Sequence, residues 1–200
     1  PGLSGYDGKL TGLPYDPERA REVITAMPPG RTLSILTLSN SDTITIVHTI
    51  AGQLRAAGLP VEVAGRERGT FKALLADGDF DMVYYSWVAD YASGENFLEP
   101  LFATSATRST GNYTAYSKPE VDSLLARARR TPDTASRSEL YARTAAIAVD
   151  DAPRAFLWHA RRVTVRQPWV IGFSPARIYN AQRFEGVYID DRLFAEDPRR

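Results

Sequence analysis

The apolar positions of the first half of the chain fall into short runs with alternating periods. Leu33 to Leu38 is strongly apolar with weak alternation and predicts a strand. Ser39-Asn40-Ser41-Asp42 follows as a polar turn able to cap a helix. From Ile44 to Ala57 the apolar residues Ile46, Val47, Ile50, Leu54 and Ala57 recur at helical spacing, and Gly58 ends the run. Leu59 to Val63 predicts a second strand. Gly69 to Ala76, carrying Phe71, Leu74 and Leu75, predicts a short helix broken by Gly78, and Asp81 to Tyr85 a third strand. Strand–helix–strand–helix–strand with short links predicts an α/β layer, a mixed and mostly parallel sheet flanked by helices.

The flanking regions follow other patterns. Residues 1–14 are rich in Gly, Pro and Leu and predict an irregular lead-in. Asp16-Pro17-Glu18 has the residues of a helix start: a capping acid, a proline in the first turn and an acid at the positive end of the dipole. Pro28-Pro29-Gly30 stops that helix after Met27. The second half is helical: Glu95 to Phe102, then Pro119 to Arg130 with Val121, Leu124, Leu125 and Ala128 on one face, then Thr134 to Asp150. Thr104 to Asn112 predicts a polar loop, and Ala155 to Trp158 and Val163 to Val165 predict strands. Residues 167 to 190 carry scattered aromatics, among them Trp169, Phe173 and Tyr179, with little periodicity.

Composition removes several function classes. Basic and acidic residues balance at 24 each, so there is no electrostatic footprint for nucleic acid and no basic face for anionic lipid. Cysteine is absent, which removes disulfides, thiol nucleophiles and thiolate metal sites. No apolar run approaches the roughly 20 residues that cross a bilayer, so no membrane insertion is expected of this chain. The chain opens at Pro1-Gly2 without an initiator Met or a signal peptide, and is expected to be a processed product or part of a longer protein.

Recognisable catalytic apparatus is missing. There is no G-x-S-x-G elbow, no P-loop and no G-x-G-x-x-G after a strand. His48 and His159 lie far apart and read as structural, and no metal or cofactor is called for. Asp79 and Asp81, either side of Phe80, read as solvated turn acids. An enzyme reading, a hydrolase fragment using Asp90 or His159, has no nucleophile–base motif behind it.

One segment carries candidate chemistry: Tyr84-Tyr85-Ser86-Trp87-Val88-Ala89-Asp90-Tyr91. It follows a predicted buried strand, and ligands of open α/β sheets sit beyond the C-terminal strand ends. Trp87 could be a stacking wall and Asp90 an anion for an ammonium group. Alternatively, Trp87 fills the core and Asp90 caps the turn.

Several stretches resemble, in order, the family 5 extracellular solute-binding proteins of ABC importers, the dipeptide, oligopeptide and nickel receptors. Asp79-Phe80-Asp81-Met82, then Trp87, Asp90-Tyr91 and Glu95-Asn96-Phe97-Leu98, resembles the family's hallmark stretch. Tyr15 to Ala20 resembles its "YDPEKA" helix start, and Ile50 to Val63 its "hxxQLxxxGIxVEh" step. Asn112-Tyr113 with Tyr116 to Arg129 resembles "N…YSNPEVDxLLxxAR", Arg137 to His159 resembles "RxxLYxxAQxIhxxDAPxhxLxH", and Val163 to Phe173 resembles the closing "hxxhRxxVxGF".

The resemblance covers nearly the whole chain. It implies the second lobe of a two-lobed, type II periplasmic-binding-protein-like receptor over residues 1–160, with residues 161–200 as a tail returning toward a first lobe. It also implies a binding role without enzyme activity, a periplasmic or cell-surface location, a peptide cargo and ABC permease subunits as partners. The alternative cargo is a nickel chelate, sugar, opine or heme. Asp90 falls on the family's acid for the ligand's α-ammonium, Trp87 on the adjoining wall, and Ser86 where backbone groups contact the ligand main chain; Tyr85 and Tyr91 flank them. The sequence departs from the family at Ser86, where Gly is usual, and at Ala92-Ser93-Gly94, which replaces an Asp/Pro-containing stretch. The tail is expected to leave apolar side chains exposed among Trp169, Phe173 and Tyr179.

Overall fold

The structure, a computed structural model, describes residues 2–161, 163–176 and 182–195. Its first half is a three-stranded parallel sheet in the order β2–β1–β3. Central β1 (Leu33–Leu38) pairs along its whole length with β2 (Val61–Arg66), from Leu33 opposite Val61 to Leu38 opposite Arg66. On its other side it pairs with β3 (Met82–Val83) at Ile35 and Leu36. The helices between them are α2 (Ser41–Ala56) and α3 (Arg68–Asp77), preceded by α1 (Pro17–Ala26).

Alternation along β1 decides which helix covers which face. Ile35 joins Val47 and Ala51 of α2 and Val61 of β2 in one core. Its neighbour Leu36 points the other way, to Phe71 and Leu75 of α3. The sheet is thus a filled middle layer, as the period of the sequence predicts.

The second half is a separate helical core made by α4 (Glu95–Phe102), α5 (Pro119–Arg129) and α6 (Thr134–Asp150). Leu98, Leu101 and Phe102 meet Val121, Leu124, Leu125 and Ala128, with Leu140, Tyr141 and Ala148 closing the cluster. Beyond it the chain forms a small antiparallel pair, β4 (Val170–Ile171) with β5 (Tyr188–Ile189), and a short α7 (Asp191–Ala195).

Helix starts follow side-chain chemistry. Asp16, Asn40 and Asp133 accept from the backbone N–H groups of Arg19, Thr43 and Ser136 at 2.9, 3.0 and 2.7 Å. Such caps contribute about 1 kcal/mol each. Asn40 starts α2 three residues earlier than the apolar spacing alone indicates. At the C-terminus of α3, Gly78 takes φ +72°, the left-handed cap that a side chain disfavours.

Four expectations change. The third strand shrinks to two residues, because after Val83 the chain leaves the sheet toward the helical core. No strand forms at Ala155–Trp158 or Val163–Val165 among the described residues: no ladder partner meets them, and Val163 and Val165 are 84% and 90% exposed. Trp169 and Phe173 are half-buried rather than exposed, their rings 5.5 Å from Phe194 and 6.2 Å from Phe184; Tyr179 lies outside the described residues. Asp81 is not a merely solvated acid. Its Oδ2 accepts from the Ser34 N–H at 2.8 Å and the Ser34 hydroxyl at 3.1 Å, and it pairs with Arg31, tying the start of β3 to the start of β1.

The Ser34 N–H, with the charge of Arg31 beside it, holds the Asp81 carboxyl below its usual range. The Ser136 N–H does the same for Asp133, and Lys118 and Tyr116 for Asp151. A carboxyl depressed in the folded state stabilises the fold above its ordinary value, near 3.8, and that contribution is lost as pH falls through the lower folded value. The urea midpoint should therefore hold steady from neutral pH to about pH 5 and fall below about pH 4. Asp81→Asn should lower the midpoint at neutral pH and flatten the acid slope; an unchanged slope would show that the Ser34 contact is energetically silent.

Candidate functional site

The candidate site is built on the stretch that leaves β3. The Tyr84 N–H still bonds the Leu36 carbonyl at 2.9 Å, so the sheet direction persists one residue past the strand. Successive side chains then anchor in different places. Tyr84 packs against the α2 side of the sheet, Tyr85 against the α3 side, and Trp87 against the helical core. Ser86 and Val88 face solvent between them, and Ala89 is buried.

Asn96, at the start of α4, organises the turn. Its carbonyl accepts from Trp87 Nε1 at 2.6 Å, and its side-chain Oδ1 accepts from the Asp90 N–H at 2.8 Å. One residue thus fixes both the indole edge and the backbone of Asp90. The Asp90 carboxylate is exposed, and among the described residues it has no ion-pair or hydrogen-bond partner. It does not cap the turn; the amide of Asn96 does that. Trp87 is half-buried against the helical core, with its indole N–H turned to Asn96.

The loop behind Trp87 is equally constrained. A Cβ on Gly111 would stand 2.9 Å from the Pro100 carbonyl and 3.0 Å from the Trp87 ring, so glycine lets backbone and indole pack directly. Next to it, fully buried Asn112 donates to the carbonyls of Ala103 and Tyr116 at 3.0 and 2.7 Å and accepts from the Tyr116 N–H at 3.0 Å. At the other departure from the family pattern, Gly94 sits under the Ser4 carbonyl, where a side chain has no room. The lead-in is thereby docked on the site turn, with Gly94 N–H bonding Ser4 Oγ at 3.2 Å and Gly5 N–H bonding Ser138 Oγ at 2.8 Å.

The predicted site residues do not form one cluster. Trp87, Asp90 and Tyr91 gather around Asn96. Tyr91 lines an open groove of about 310 Å³ together with Glu95, Asn96 and Glu99, which Asp90, Ser86 and Trp87 do not line. Tyr85 turns the other way, edge-on to Tyr113 at 5.3 Å; burial, and then Tyr113, push its phenol above the ordinary value. Both histidines are exposed. Sequence reasoning missed the supporting residues Asn96, Gly111 and Asn112, although two of them lie in the motif stretches Glu95-Asn96 and Asn112-Tyr113.

The stretch that leaves the parallel α/β layer places the half-buried Trp87 ring and the exposed Asp90 carboxylate on one turn. Residues 1–109 match the bacterial extracellular solute-binding proteins, family 5 Middle, and the chain belongs to that family. It is 31% identical over 183 residues to the glutathione-binding protein GsiB of Pectobacterium atrosepticum, covering 86% of this chain and 35% of that protein. It is 26% identical over 179 residues to di/tripeptide-binding protein 4 of Pseudomonas aeruginosa, covering 86% and 34%. The fold is that of periplasmic binding proteins. Helicobacter pylori DppA, solved with the peptide STSA, superposes with a TM-score of 0.69 at 28% identity, over 76% of this chain and 30% of that one. The chain spans about a third of the length of the curated relatives it matches.

Asn112→Ala should lower stability by about 1–3 kcal/mol, since it leaves buried carbonyls unpaired. The urea midpoint of the chain measures it, and an unchanged midpoint would mean that water replaces the amide.

Proposed function

We propose that this chain is the second ligand-binding lobe of an extracytoplasmic substrate-binding protein, which captures peptides between two lobes and delivers them to the permease of an ABC importer. The observation that carries the reading is the unpaired Asp90 carboxylate, set beside Trp87 on a turn locked by Asn96. A free α-ammonium group is the complement of such an acid. Inside a closed, drier cleft that pair is stronger than it would be on a surface. Ser86, exposed beside the indole, offers backbone groups that hold a peptide main chain whatever its side chains. The relatives named for peptides support a peptide cargo, and the periplasmic ones support a location outside the cytoplasm.

The reading is of capture rather than catalysis, in keeping with a family described as solute-binding. It divides the chain near residue 160. Residues 1–160 form the lobe, and the tail from 161 packs on the remainder of a longer receptor. The exposed apolar side chains of Val163, Val165, Phe184 and Tyr188 support that division. Closure of the two lobes over the cargo would signal occupancy to the membrane partner.

In the intact receptor, Asp90→Ala should weaken binding of di- and tripeptides with a free amino terminus by about 2–5 kcal/mol. N-acetylated peptides, already weak, should be indifferent to the substitution. Calorimetry that finds Asp90→Ala without effect on free-amine peptides would redirect the reading to a cargo without an ammonium group. The 200-residue chain alone holds half of the proposed contacts and should bind peptide weakly or not at all; submicromolar affinity for it would contradict the two-lobe reading.

A further inference from the structure

Asp90-Tyr91 is followed by three small residues, Ala92-Ser93-Gly94, and glycine has the most backbone freedom of any residue. Such a segment holds one shape only where its surroundings impose it. Gly94 is nevertheless buried, and it is already helical, at φ −59° and ψ −30°, as the residue before α4. Its carbonyl accepts the first helix bonds, from the N–H groups of Phe97 and Leu98 at 3.1 and 3.0 Å. Its N–H, a buried donor that must find a partner, donates to Ser4 Oγ at 3.2 Å. Within the first turn of α4 stands Asn96, whose Oδ1 holds the Asp90 N–H. The place where α4 starts therefore fixes where Asp90 sits.

Helix α6 supplies the floor of this contact. Ser138 and Tyr141 lie one turn apart on one face of it and meet the lead-in together. Ser138 Oγ accepts from the Gly5 N–H at 2.8 Å. A Cβ on Gly5 would stand 2.3 Å from Tyr141 Cβ, and one on Gly94 would stand 2.3 Å from the Ser4 carbonyl and 3.3 Å from the Tyr141 ring. Lead-in, turn and helix are thus stacked with no room for a side chain at either glycine, over a Tyr141 that is itself buried. Gly5 also takes φ +80°, a conformation that side chains disfavour. The two hydrogen bonds join segments 90 and 133 positions apart, so they belong to the tertiary fold and are no local turn preference.

We infer that the Ser4-Gly5 turn is a positioning element of the ligand site: by clamping Gly94 against Tyr141 it sets the start of α4, and through Asn96 the seat of the Asp90 carboxylate. The inference rests on the reading of Asp90 as the ammonium-binding acid and extends it to residues that touch no cargo. Charge-assisted hydrogen bonds are short, and hydrogen bonds weaken steeply when misaligned. Loosening the clamp therefore weakens recognition of an ammonium group more than it weakens contacts to the rest of a peptide.

The test uses the intact receptor with Ser4→Ala, which removes the acceptor, and Gly94→Ala, which wedges the layers apart. Affinities are measured for di- and tripeptides with free and with N-acetylated amino termini, and amide hydrogen exchange is measured without cargo. Each variant should lower the ratio of free-amine to N-acetyl affinity about fivefold or more. Each should also speed exchange of the Asp90 amide about tenfold while the amides of α5 keep their wild-type rates. In an Asp90→Ala background, Ser4→Ala should change peptide affinity no further. A contact that serves stability alone would lower the melting temperature and leave the ratio unchanged. Where the wild type prefers free amines, the ratio decides. If it is unchanged in Ser4→Ala, or if both peptide forms lose affinity equally, the inference is overturned and the Asp90 reading stands. A further loss in the Asp90→Ala background overturns it as well. If the wild type shows no preference for free amines, the Asp90 reading has failed and exchange decides: a faster Asp90 amide in Ser4→Ala supports the clamp, and a wild-type rate overturns it.

Discussion

Everything near the sheet edge depends on how the chain leaves β3. Two residue pairs, Ile35 with Met82 and Leu36 with Val83, hold β3 to the central strand, and the Leu36 carbonyl guides one residue more. Within the next few residues the chain commits side chains to three different cores. Tyr84 joins the α2 side of the sheet, Tyr85 the α3 side and Trp87 the helical cluster. A segment anchored in three packed regions has little freedom to shift, because displacing it disturbs all of them at once. That rigidity is what a binding edge requires, since a preorganised site loses less entropy when a ligand arrives.

Charge is arranged with the same contrast between support and site. The carboxylates of Asp81, Glu99 and Asp151 are each paired, and they tie β1 to β3, α4 to α5, and the start of α5 to the end of α6. Asp90 has its backbone fixed by Asn96 and its carboxylate left open. Arg154 has a backbone carbonyl and aromatic faces, but no acid among the described residues.

The stretch after α6 behaves differently from the two cores. Phe156 and Trp158 rest on Phe102 and Tyr84 at 6.3 and 6.2 Å, yet both remain about half exposed. Extended, β-prone residues with apolar side chains gain stability only where a second strand or surface meets them. Among the described residues no strand pairs with them, and this chain spans about a third of the length of its curated relatives.

Elements set by local chemistry were legible in the sequence. β1, α4 and α6 form over the predicted residues, because their apolar periods and flanking Asn, Gly and Pro signals act within a few residues. Trp87 and Asp90 were legible as candidates through their place after a buried strand and their resemblance to a family motif. Strand formation at 155–165 was misjudged, since a strand requires a partner that no local pattern specifies. The roles of Asn96 and Gly111, and the contact of Arg154 with the Gly111 carbonyl, arise between residues six to forty-three positions apart. Sequence periodicity says which face a side chain takes; only the packed chain decides which backbone group, ring or charge it meets there.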